Sequence, residues 1–408
     1  MSKYLKYIIK NTAPVRIAND ETSQHGQTDT LRYFPGSTIR GYIITSLSQN
    51  ADFESYKQDL FSGKIQFLNA YPYINDKEML PSLKGFYEDK SEVTGKKELN
   101  NVVVEDEVTP GNKRASLGHF CFIEDDCIRY ADVEVSEGIN INIGREEAKR
   151  TVFRSQYMKK NQTFTGFIAF ADDVPDSLIR QIMETMDHTM YLGNRRSAGY
   201  GECICVSRQI QNEIPYDNVR TSKGGDVLYM ILLSDTVMRD SNGELTGLCL
   251  EELAGQLGCG KLDIEKCSTS TTDIRGYNSM WQNAAPSAVM YAAGSVFKLK
   301  ASDPVAEDRL HMLEESGIGI RREEGFGQVA FIQDYEKIRY KSAIQSNERQ
   351  NQEIHTFGKK ADVESDIRIA ASGLVRNRVE RAIERYVVLQ KLDMQGISES
   401  KKGLLMSM

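Results

Sequence analysis

Apolar and polar positions along the chain predict short strands interspersed with amphipathic helices. Apolar runs of strand length occupy residues 4–9, 64–74, 164–170, 227–233 and 289–299. Helical spacing occurs at Ile179, Ile182, Met183, Met186 and Met190, and a shorter version begins at Leu310 and Leu313. Residues 250–257 form a further candidate helix. The pattern predicts mixed α and β structure.

One pattern occurs twice. Residues 192–206 read LGNRRSAGYGECICV and residues 318–332 read IGIRREEGFGQVAFI, so both share Gly, Arg-Arg, Gly, an aromatic residue and Gly at identical offsets. Each copy follows a helical pattern and ends in an apolar run, which predicts a helix, a glycine turn and a strand. We call residues 192–201 the first glycine turn and residues 318–327 the second. Residues 8–16 resemble residues 231–239 in pattern, so the chain contains two halves of similar plan.

The glycine turns carry candidate chemistry for binding RNA. Glycines leave backbone amides uncovered, arginines add positive charge, and aromatic rings can stack on an unpaired base. The alternative is structural, with glycines that allow close packing, solvated arginines and core aromatics. The residues concerned are Arg195, Arg196 and Tyr200 in the first turn and Arg321, Arg322 and Phe326 in the second.

Residues 35–41 (PGSTIRG) are a second candidate for phosphate binding. Pro and Gly predict a turn, Ser37 or Thr38 can cap the helix that follows, and Arg40 would lie in its first turn. Free amides and the helix dipole favour an anion at such a terminus. A capped helix with an exposed arginine is the structural alternative.

Residues 145–160 mix basic and aromatic side chains, a composition that suits a single-stranded polyanion. Arg150 and Arg154 are the candidate phosphate contacts. The alternative is a solvated loop edge, because Glu146 and Glu147 offset part of the charge.

Composition limits the class of protein. The chain has 408 residues, 40% of them hydrophobic and 27% charged, as in soluble globular proteins. No apolar stretch approaches membrane-spanning length and the N-terminus lacks a signal pattern, so we expect a cytoplasmic protein without membrane contact. The seven cysteines and five histidines lack metal-ligand spacing, and we expect reduced thiols and no metal or cofactor. The net charge of -7 argues against indiscriminate nucleic-acid binding but allows a local basic groove.

Domain boundaries follow from the repeat and from changes in composition. We predict a first module at residues 1–222 with an irregular, charged insertion at about 75–138, projecting from the first half. A second module follows at 223–340, and a linker and helical tail at 341–408. The tail contains an amphipathic helix at 367–392, which we expect to dock on protein rather than to bind RNA.

The glycine motifs resemble those of the RAMP superfamily of CRISPR-associated proteins. The resemblance rests on residues 35–41 (PGSTIRG), 195–201 (RRSAGYG) and 317–327 (GIGIRREEGFG), and it covers residues 4 to about 340. Residues 276–281 (GYNSMW) and 292–297 (AAGSVF) look like the second half of the subunit that caps the 5′ end of the guide RNA in type III-D effector complexes. The tail has no counterpart, and the insertion is matched in position only.

The resemblance implies an α+β fold of two ferredoxin-like, RRM-like modules with antiparallel sheets. It also implies a non-catalytic subunit that holds the 5′ tag of the guide RNA (crRNA) and contacts the large polymerase-like subunit and the backbone RAMP subunits. The competing interpretation is a metal-independent endoribonuclease that processes CRISPR precursor RNA, with His25 as the best candidate acid or base. A small-molecule phosphate-binding enzyme is a weaker alternative, because neither turn contains Gly-Lys-Ser/Thr.

Overall fold

A computed structural model describes most of the chain up to Tyr340. The described residues are 3–17, 27–50, 52–89, 99–105, 112–115, 117–124, 127–143, 150–274, 277–278, 283–284 and 288–340. His25, Trp281 and the predicted tail helix lie outside them.

The described residues form five α-helices: α1 (Gly36–Leu47), α2 (Phe53–Phe61), α3 (Asp176–Thr185), α4 (Leu250–Leu257) and α5 (Glu307–Ser316). Short 3-10 helices occupy Arg196–Ala198, Asp217–Val219, Arg322–Glu324 and Tyr335–Lys337.

The strands of the first half are β1 (Lys3–Asn11), β2 (Gln27–Thr28), β3 (Ile65–Phe67), β4 (Tyr71–Ile74), β5 (Lys77–Glu78), β6 (Leu80–Pro81), β7 (Phe86–Asp89), β8 (Leu99–Asn101), β9 (Asn112–Arg114), β10 (Phe120–Glu124), β11 (Cys127–Ala131), β12 (Val135–Ile143), β13 (Arg150–Met158), β14 (Thr163–Phe170), β15 (Met190–Tyr191) and β16 (Glu202–Gln211). Those of the second half are β17 (Gly224–Leu232), β18 (Met238–Arg239), β19 (Leu245–Thr246), β20 (Leu262–Ser268), β21 (Thr271–Ile274), β22 (Tyr277–Asn278), β23 (Asn283–Ala284), β24 (Ala288–Tyr291), β25 (Val296–Ala306), β26 (Val329–Ile332) and β27 (Arg339–Tyr340).

The two halves share one topology. In the first sheet β16, β1, β14 and β3 are neighbours in that order, all antiparallel, with α1 after β1 and α3 after β14. In the second sheet the order is β26, β17, β25 and β20, again antiparallel, with α4 after β17 and α5 after β25. Each half is a β-α-β-β-α-β unit. The predicted α+β fold with antiparallel sheets is confirmed.

Several predicted elements are shorter than their apolar runs. The run at 64–74 divides into β3 and β4, because the chain between them forms a bridge from Ala70 to Phe34 instead of continuing the ladder. The run at 289–299 contains the end of β24 and the start of β25, separated by Gly294, whose φ is +82°. Helix α3 ends at Thr185, so Met190 belongs to a strand although it continues the helical spacing.

The described part of the insertion at about 75–138 packs into the first half and does not project from it. Its side chains at Leu80, Phe86, Phe120 and Tyr130 are almost completely buried in the core of the first half. Strands β10 and β11 form a hairpin in this insertion, and β27 pairs with β11. The end of the second half therefore completes a sheet that the insertion begins.

The second sheet is buried on both faces. Successive residues of a strand point to opposite faces, and on β17 Tyr229 and Ile231 join the first core while Leu228 and Met230 join a second core with α4 and α5. This explains why residues 228–233 are an unbroken apolar run rather than an alternating one. No helix among the described residues is long and apolar enough to cross a membrane.

Arg220 joins the chain segment between the two sheets to the second half. Its side chain is buried, donates to the carbonyl oxygens of Pro215 (2.8 Å) and Val329 (2.6 Å), and lies 3.9 Å from the Glu314 carboxylate on α5. Glu314 also accepts the backbone amide of Phe331 at 2.7 Å. Burial raises the pKa of the Glu314 carboxyl, although Arg220 opposes this shift.

We expect Arg220→Met to lower the free energy of unfolding by about 3–5 kcal/mol, because it removes the buried cation beside the Glu314 carboxylate and leaves the half-exposed His311 ring, 3.4 Å away, as its neighbour. The double variant Arg220→Met/Glu314→Gln should recover part of this loss, since it also removes the buried negative charge. Chemical denaturation measures both. Lys57→Ala, which breaks an exposed pair with Glu54, is the control and should scarcely move the midpoint. If Arg220→Met costs no more than this control, the buried pair does not stabilise the fold.

Candidate nucleic-acid interface

The first glycine turn is a compact reversal of the backbone between β15 and β16. Arg195 has a φ of +59°, which is unusual for a residue with a side chain, and Gly199 and Gly201 have φ values of +81° and +90°. The 3-10 helix Arg196–Ala198 lies between these left-handed positions. The turn therefore displays both arginines at its tip, where each is exposed.

Backbone hydrogen bonds fix the first turn against the loop that follows β1. The amides of Asn194 and Gly201 donate to the carbonyl oxygens of Arg16 (2.7 Å) and Pro14 (2.8 Å), and Leu192 donates to Gly201 (2.8 Å). A Cβ on Gly201 would lie 2.4 Å from the Leu192 oxygen, so only glycine allows this approach.

The second glycine turn repeats these hydrogen bonds. Ile320 and Gly327 donate to the carbonyl oxygens of Val237 (3.0 Å) and Asp235 (2.9 Å), and Ile318 donates to Gly327 (2.8 Å). Arg321 has a φ of +60°, matching Arg195. The matched hydrogen bonds confirm that the two copies are structurally equivalent.

The same hydrogen bonds correct one detail of the repeat. They make Arg16 equivalent to Val237, whereas the sequence pattern aligned Arg16 with Arg239. The pattern of strand, polar turn and arginine is therefore displaced by two residues. Only the first half has an arginine at the position that contacts its glycine turn.

Positive charge collects at the first turn, and no carboxylate among the described residues pairs with it. The Arg16 side chain is almost buried, and its Nε has no hydrogen-bond partner among the described residues. Burial, and then the nearby Arg195 guanidinium, lowers the pKa of Arg16. Arg195 forms no ion pair with any described residue, and Arg196 donates only to the carbonyl oxygen of Gly193 (3.1 Å). A bound anion would relieve both the repulsion and the missing hydrogen bond.

Aromatic side chains adjoin this charge. The Tyr200 ring contacts the ring of Tyr157 on β13 edge to face, with centroids 5.7 Å apart. Strand β13 pairs with β12 along its length and carries Arg150 and Arg154. Arg154 is exposed; the structure describes the backbone of Arg150 but not its side chain. The basic stretch at 145–160 is thus in part a strand, with residues 144–149 outside the described residues.

The charge of the second turn is largely used within the protein. Arg321 forms an ion pair with Glu324, and its guanidinium lies 4.8 Å from the centre of the Phe326 ring. Phe326 packs against a small core that contains Val237 and Met290. Arg322 is exposed and donates to the carbonyl oxygen of Ser316 at 3.2 Å.

The second turn also packs against the start of α1. Added Cβ atoms on Gly36 and Gly325 would lie 1.7 Å and 2.8 Å from the same Phe67 carbonyl oxygen, and Gly36 would also meet the Glu324 carbonyl oxygen at 2.7 Å. The motif at 35–41 and the second glycine turn therefore meet. The first turn instead leads into β16, and in the first sheet β1 and β14 lie between β16 and β3.

The expectation that Ser37 or Thr38 caps α1 is wrong. The helix begins at Gly36, and its N-cap residue is Pro35, which makes no side-chain hydrogen bond to the helix. The Gly36 amide instead donates to Asn69 Oδ1 at 2.9 Å. Pro35 has the extended conformation of an N-cap residue, which moves the start of the helix ahead of the hydroxyl residues. Ser37 is exposed and Thr38 half-buried, while Arg40 lies over the Phe61 ring at 5.4 Å.

His119, for which the sequence pattern showed no partner, pairs with a carboxylate in the structure. His119 Nδ1 lies 2.7 Å from Asp132 Oδ1, and Arg32 contacts the same oxygen at 3.1 Å. Burial opposes ionisation of Asp132, but His119 and Arg32 together lower the pKa of its carboxyl. His119 and Arg32 are 13 and 100 residues away from Asp132 in sequence, so no local motif reveals this cluster. In the described part of the chain, no group of three or more His, Cys, Asp or Glu could hold a metal ion.

The two β-α-β-β-α-β units with glycine turns define a protein of paired ferredoxin-like modules. Residues 9–204 match the family model of the RAMP superfamily. The predicted superfamily is thus confirmed. No curated protein matches the sequence.

Solved structures with a similar fold are distant. A chain of the type III-B Cmr-beta complex bound to cognate target RNA is 14% identical, with a TM-score of 0.31, over 51% of this chain and 60% of that one. A chain of the same complex with target RNA and AMPPnP is 13% identical, with a TM-score of 0.38, over 72% and 86%. A Cas6 product complex is 10% identical, with a TM-score of 0.36, over 81% and 100%.

Two glycines of the first turn provide a matched test of this geometry. Gly199→Ala and Gly201→Ala both place a side chain at a positive φ, at a cost of roughly 1–2 kcal/mol each. Gly199 has open space around it, whereas Gly201 faces the Leu192 oxygen. We therefore expect Gly201→Ala to lower the unfolding free energy more than Gly199→Ala in chemical denaturation. Equal losses would contradict the close approach.

Proposed function

We propose that this protein is a non-catalytic crRNA-binding subunit of a type III CRISPR effector complex, which caps the 5′ tag of the guide RNA. The observation that carries the proposal is the positive charge of Arg16, Arg195 and Arg196 beside the Tyr200 and Tyr157 rings, with no ion pair to any described carboxylate. Single-stranded RNA supplies both phosphates for the guanidinium groups and unpaired bases for the rings. The match to the RAMP superfamily agrees with this chemistry.

The sequence resemblance adds the finer parts of the proposal. Residues 292–297, which resemble the type III-D capping subunit, include the tight turn at Gly294 before β25. We propose type III-D as the subtype, with the large polymerase-like subunit and the backbone RAMP subunits as protein partners. Co-purification with those subunits and with RNA of uniform 5′ end tests this assignment.

The two glycine turns contribute differently to the proposed RNA site. The first turn supplies phosphate contacts through Arg195 and Arg196, and Arg154 on β13 extends the basic surface. At the second turn Arg322 remains available, whereas Arg321 first has to leave Glu324. Ser37, Thr38 and Arg40 lie beside the second turn and form the outer part of the proposed site, and Arg150 extends it along β13.

We expect Arg195→Ala/Arg196→Ala to weaken binding of tag-containing RNA. Each lost phosphate contact should lower the slope of log affinity against log salt by about 0.7, since fewer counterions are released. The measurement is RNA affinity across a salt series. Arg321→Ala/Arg322→Ala is the matched variant and should change the slope less, because Arg321 is already paired.

Tyr200→Ala separates stacking from charge in the same assay. Loss of a stacked base costs roughly 1–3 kcal/mol of binding and leaves the salt slope nearly unchanged. Phe326→Ala should instead lower the melting temperature, because this ring is packed between Arg321 and the small core. If both arginine pairs can be removed without a change in affinity or slope, the RNA does not bind at the glycine turns.

The competing function is a metal-independent endoribonuclease, and the pairing of His119 with Asp132 is the observation that favours it. An imidazole oriented by a carboxylate is a general base for a 2′-hydroxyl. On our proposal, the purified protein does not cleave repeat RNA with multiple turnover, and the RNA stays intact with both the parent protein and His119→Ala. Cleavage by the parent protein that His119→Ala abolishes would replace the proposed function by this one. His25→Ala serves as the second variant.

A further inference from the structure

A cavity of about 460 Å³ lies where the first and second halves meet. Its wall includes residues 29–33, 82 and 84 from the first half and residues 270–272, 292 and 293 from the second. Backbone hydrogen bonds from Lys84 to Gly294 (2.8 Å) and from Ser82 to His119 (2.9 Å) hold the wall in place. The volume is sufficient for one nucleotide unit.

Lys84 brings a positive charge to this cavity. Its side chain is partly buried and forms no ion pair or hydrogen bond with any described residue. Burial, and then the nearby Arg114 guanidinium, lowers the pKa of the Lys84 ammonium group, whereas Cys121 and Asp235 oppose this shift. Arg114 itself donates to the carbonyl oxygen of Thr269 at 3.2 Å. A ligand phosphate at Lys84 would offset both the burial of the ammonium group and its repulsion by Arg114.

His119 lines the same cavity, and in its imidazolium form it is a second donor. Its Nδ1 is held by Asp132, so Nε2 is the ring nitrogen that remains for a ligand. The Asp132 carboxylate, shared with Arg32, orients the ring without neutralising Lys84. Lys84 and His119 also line an adjoining recess of about 200 Å³.

Strand β13 connects the cavity with the first glycine turn. Gln156 lines the cavity, whereas its neighbour Tyr157 contacts Tyr200 of the turn. Alternation along the strand places Arg154 on the same face as Gln156, and Arg154 is exposed. Tyr157, which contacts Tyr200, therefore lies on the opposite face of β13 from Arg154 and Gln156.

The rest of the wall suits the other parts of a nucleotide. Tyr33 offers a ring that contacts Tyr71, with centroids 5.3 Å apart. Asp235, which accepts the Ala293 amide at 2.8 Å, and Asp29 line the cavity as carboxylates. Carboxylates repel phosphate but accept hydrogen bonds from ribose hydroxyl and base amino groups. The phosphate therefore belongs on the side of Lys84 and His119.

We propose that this cavity binds one nucleotide of the RNA, with its phosphate on Lys84 and His119. The inference rests on the proposed RNA-binding function and adds a second contact site away from the glycine turns. The ligand chemistry is an RNA phosphate, either a 5′-terminal group or an internal phosphodiester.

The test compares the full-length protein with Lys84→Met, which keeps the apolar stem and removes the charge. We expect affinity for single-stranded tag RNA to fall about tenfold, the loss of one charge-assisted contact. The melting temperature should stay the same or rise, because a partly buried charge that forms no ion pair with a described residue has been removed. Lys77→Met is the matched control, since Lys77 pairs with Glu124 and lies over the Phe122 ring outside this cavity. It should leave the affinity unchanged.

Phosphate substitution locates the contact on the RNA. RNAs in which one phosphate at a time is replaced by an uncharged methylphosphonate should show one position that weakens binding to the parent protein and has no further effect on Lys84→Met. RNAs with a 5′-phosphate or a 5′-hydroxyl identify whether that position is terminal, and competition by inorganic phosphate measures the site without RNA.

Identical methylphosphonate profiles for both proteins, or equal affinities for Lys84→Met and Lys77→Met, would overturn the cavity site. Loss of binding in Arg195→Ala/Arg196→Ala alongside such a result would leave the proposed function in place and remove only this inference.

Discussion

The fold depends on a close approach between each glycine turn and the loop that follows the first strand of its half. In the first half, added Cβ atoms on Gly193 and Gly201 would each lie 2.4 Å from a backbone oxygen. In the second, Gly319 and Gly327 meet oxygens at 2.2 Å and 1.8 Å. These distances leave no room for a side chain, so the turn, its two arginines and the strand that follows have one arrangement. The display of charge is a consequence of this backbone constraint.

The two copies of the turn keep the same backbone but use their arginines differently. In the second copy Glu324 pairs with Arg321, and the turn packs on Phe67 and Gly36 of the first half. The first copy has Ala198 at the position of Glu324 and Arg16 at the position of Val237, so positive charge is added rather than cancelled. One copy has therefore become a contact between the halves, and the other remains open to a ligand.

Sequence pattern predicted the parts of the structure that depend on local periodicity. The strand at residues 4–9, helix α4 and the helix-turn-strand units follow from apolar spacing and glycine position, and all are present. The cap of α1 was missed because Asn69, which binds the Gly36 amide, is 33 residues away. Arg16, Lys84 and His119 were missed as site residues for a similar reason. Tertiary packing brings Arg195 close to Arg16, Arg114 close to Lys84 and Asp132 close to His119. Of the three residues, only Arg16 was part of a sequence pattern, and that pattern aligned it with Arg239, two residues beyond its structural equivalent Val237.

The burial of β17 on both faces has a consequence for how the protein is made. Tyr229 and Ile231 complete the first core, so a nascent chain that has emerged only as far as Val219 still lacks part of that core. Strand β27, near the end of the second half, then closes the sheet begun by β10 and β11. The first core is therefore complete only when residues more than a hundred positions downstream have been made, and until then part of its apolar surface lacks its covering residues.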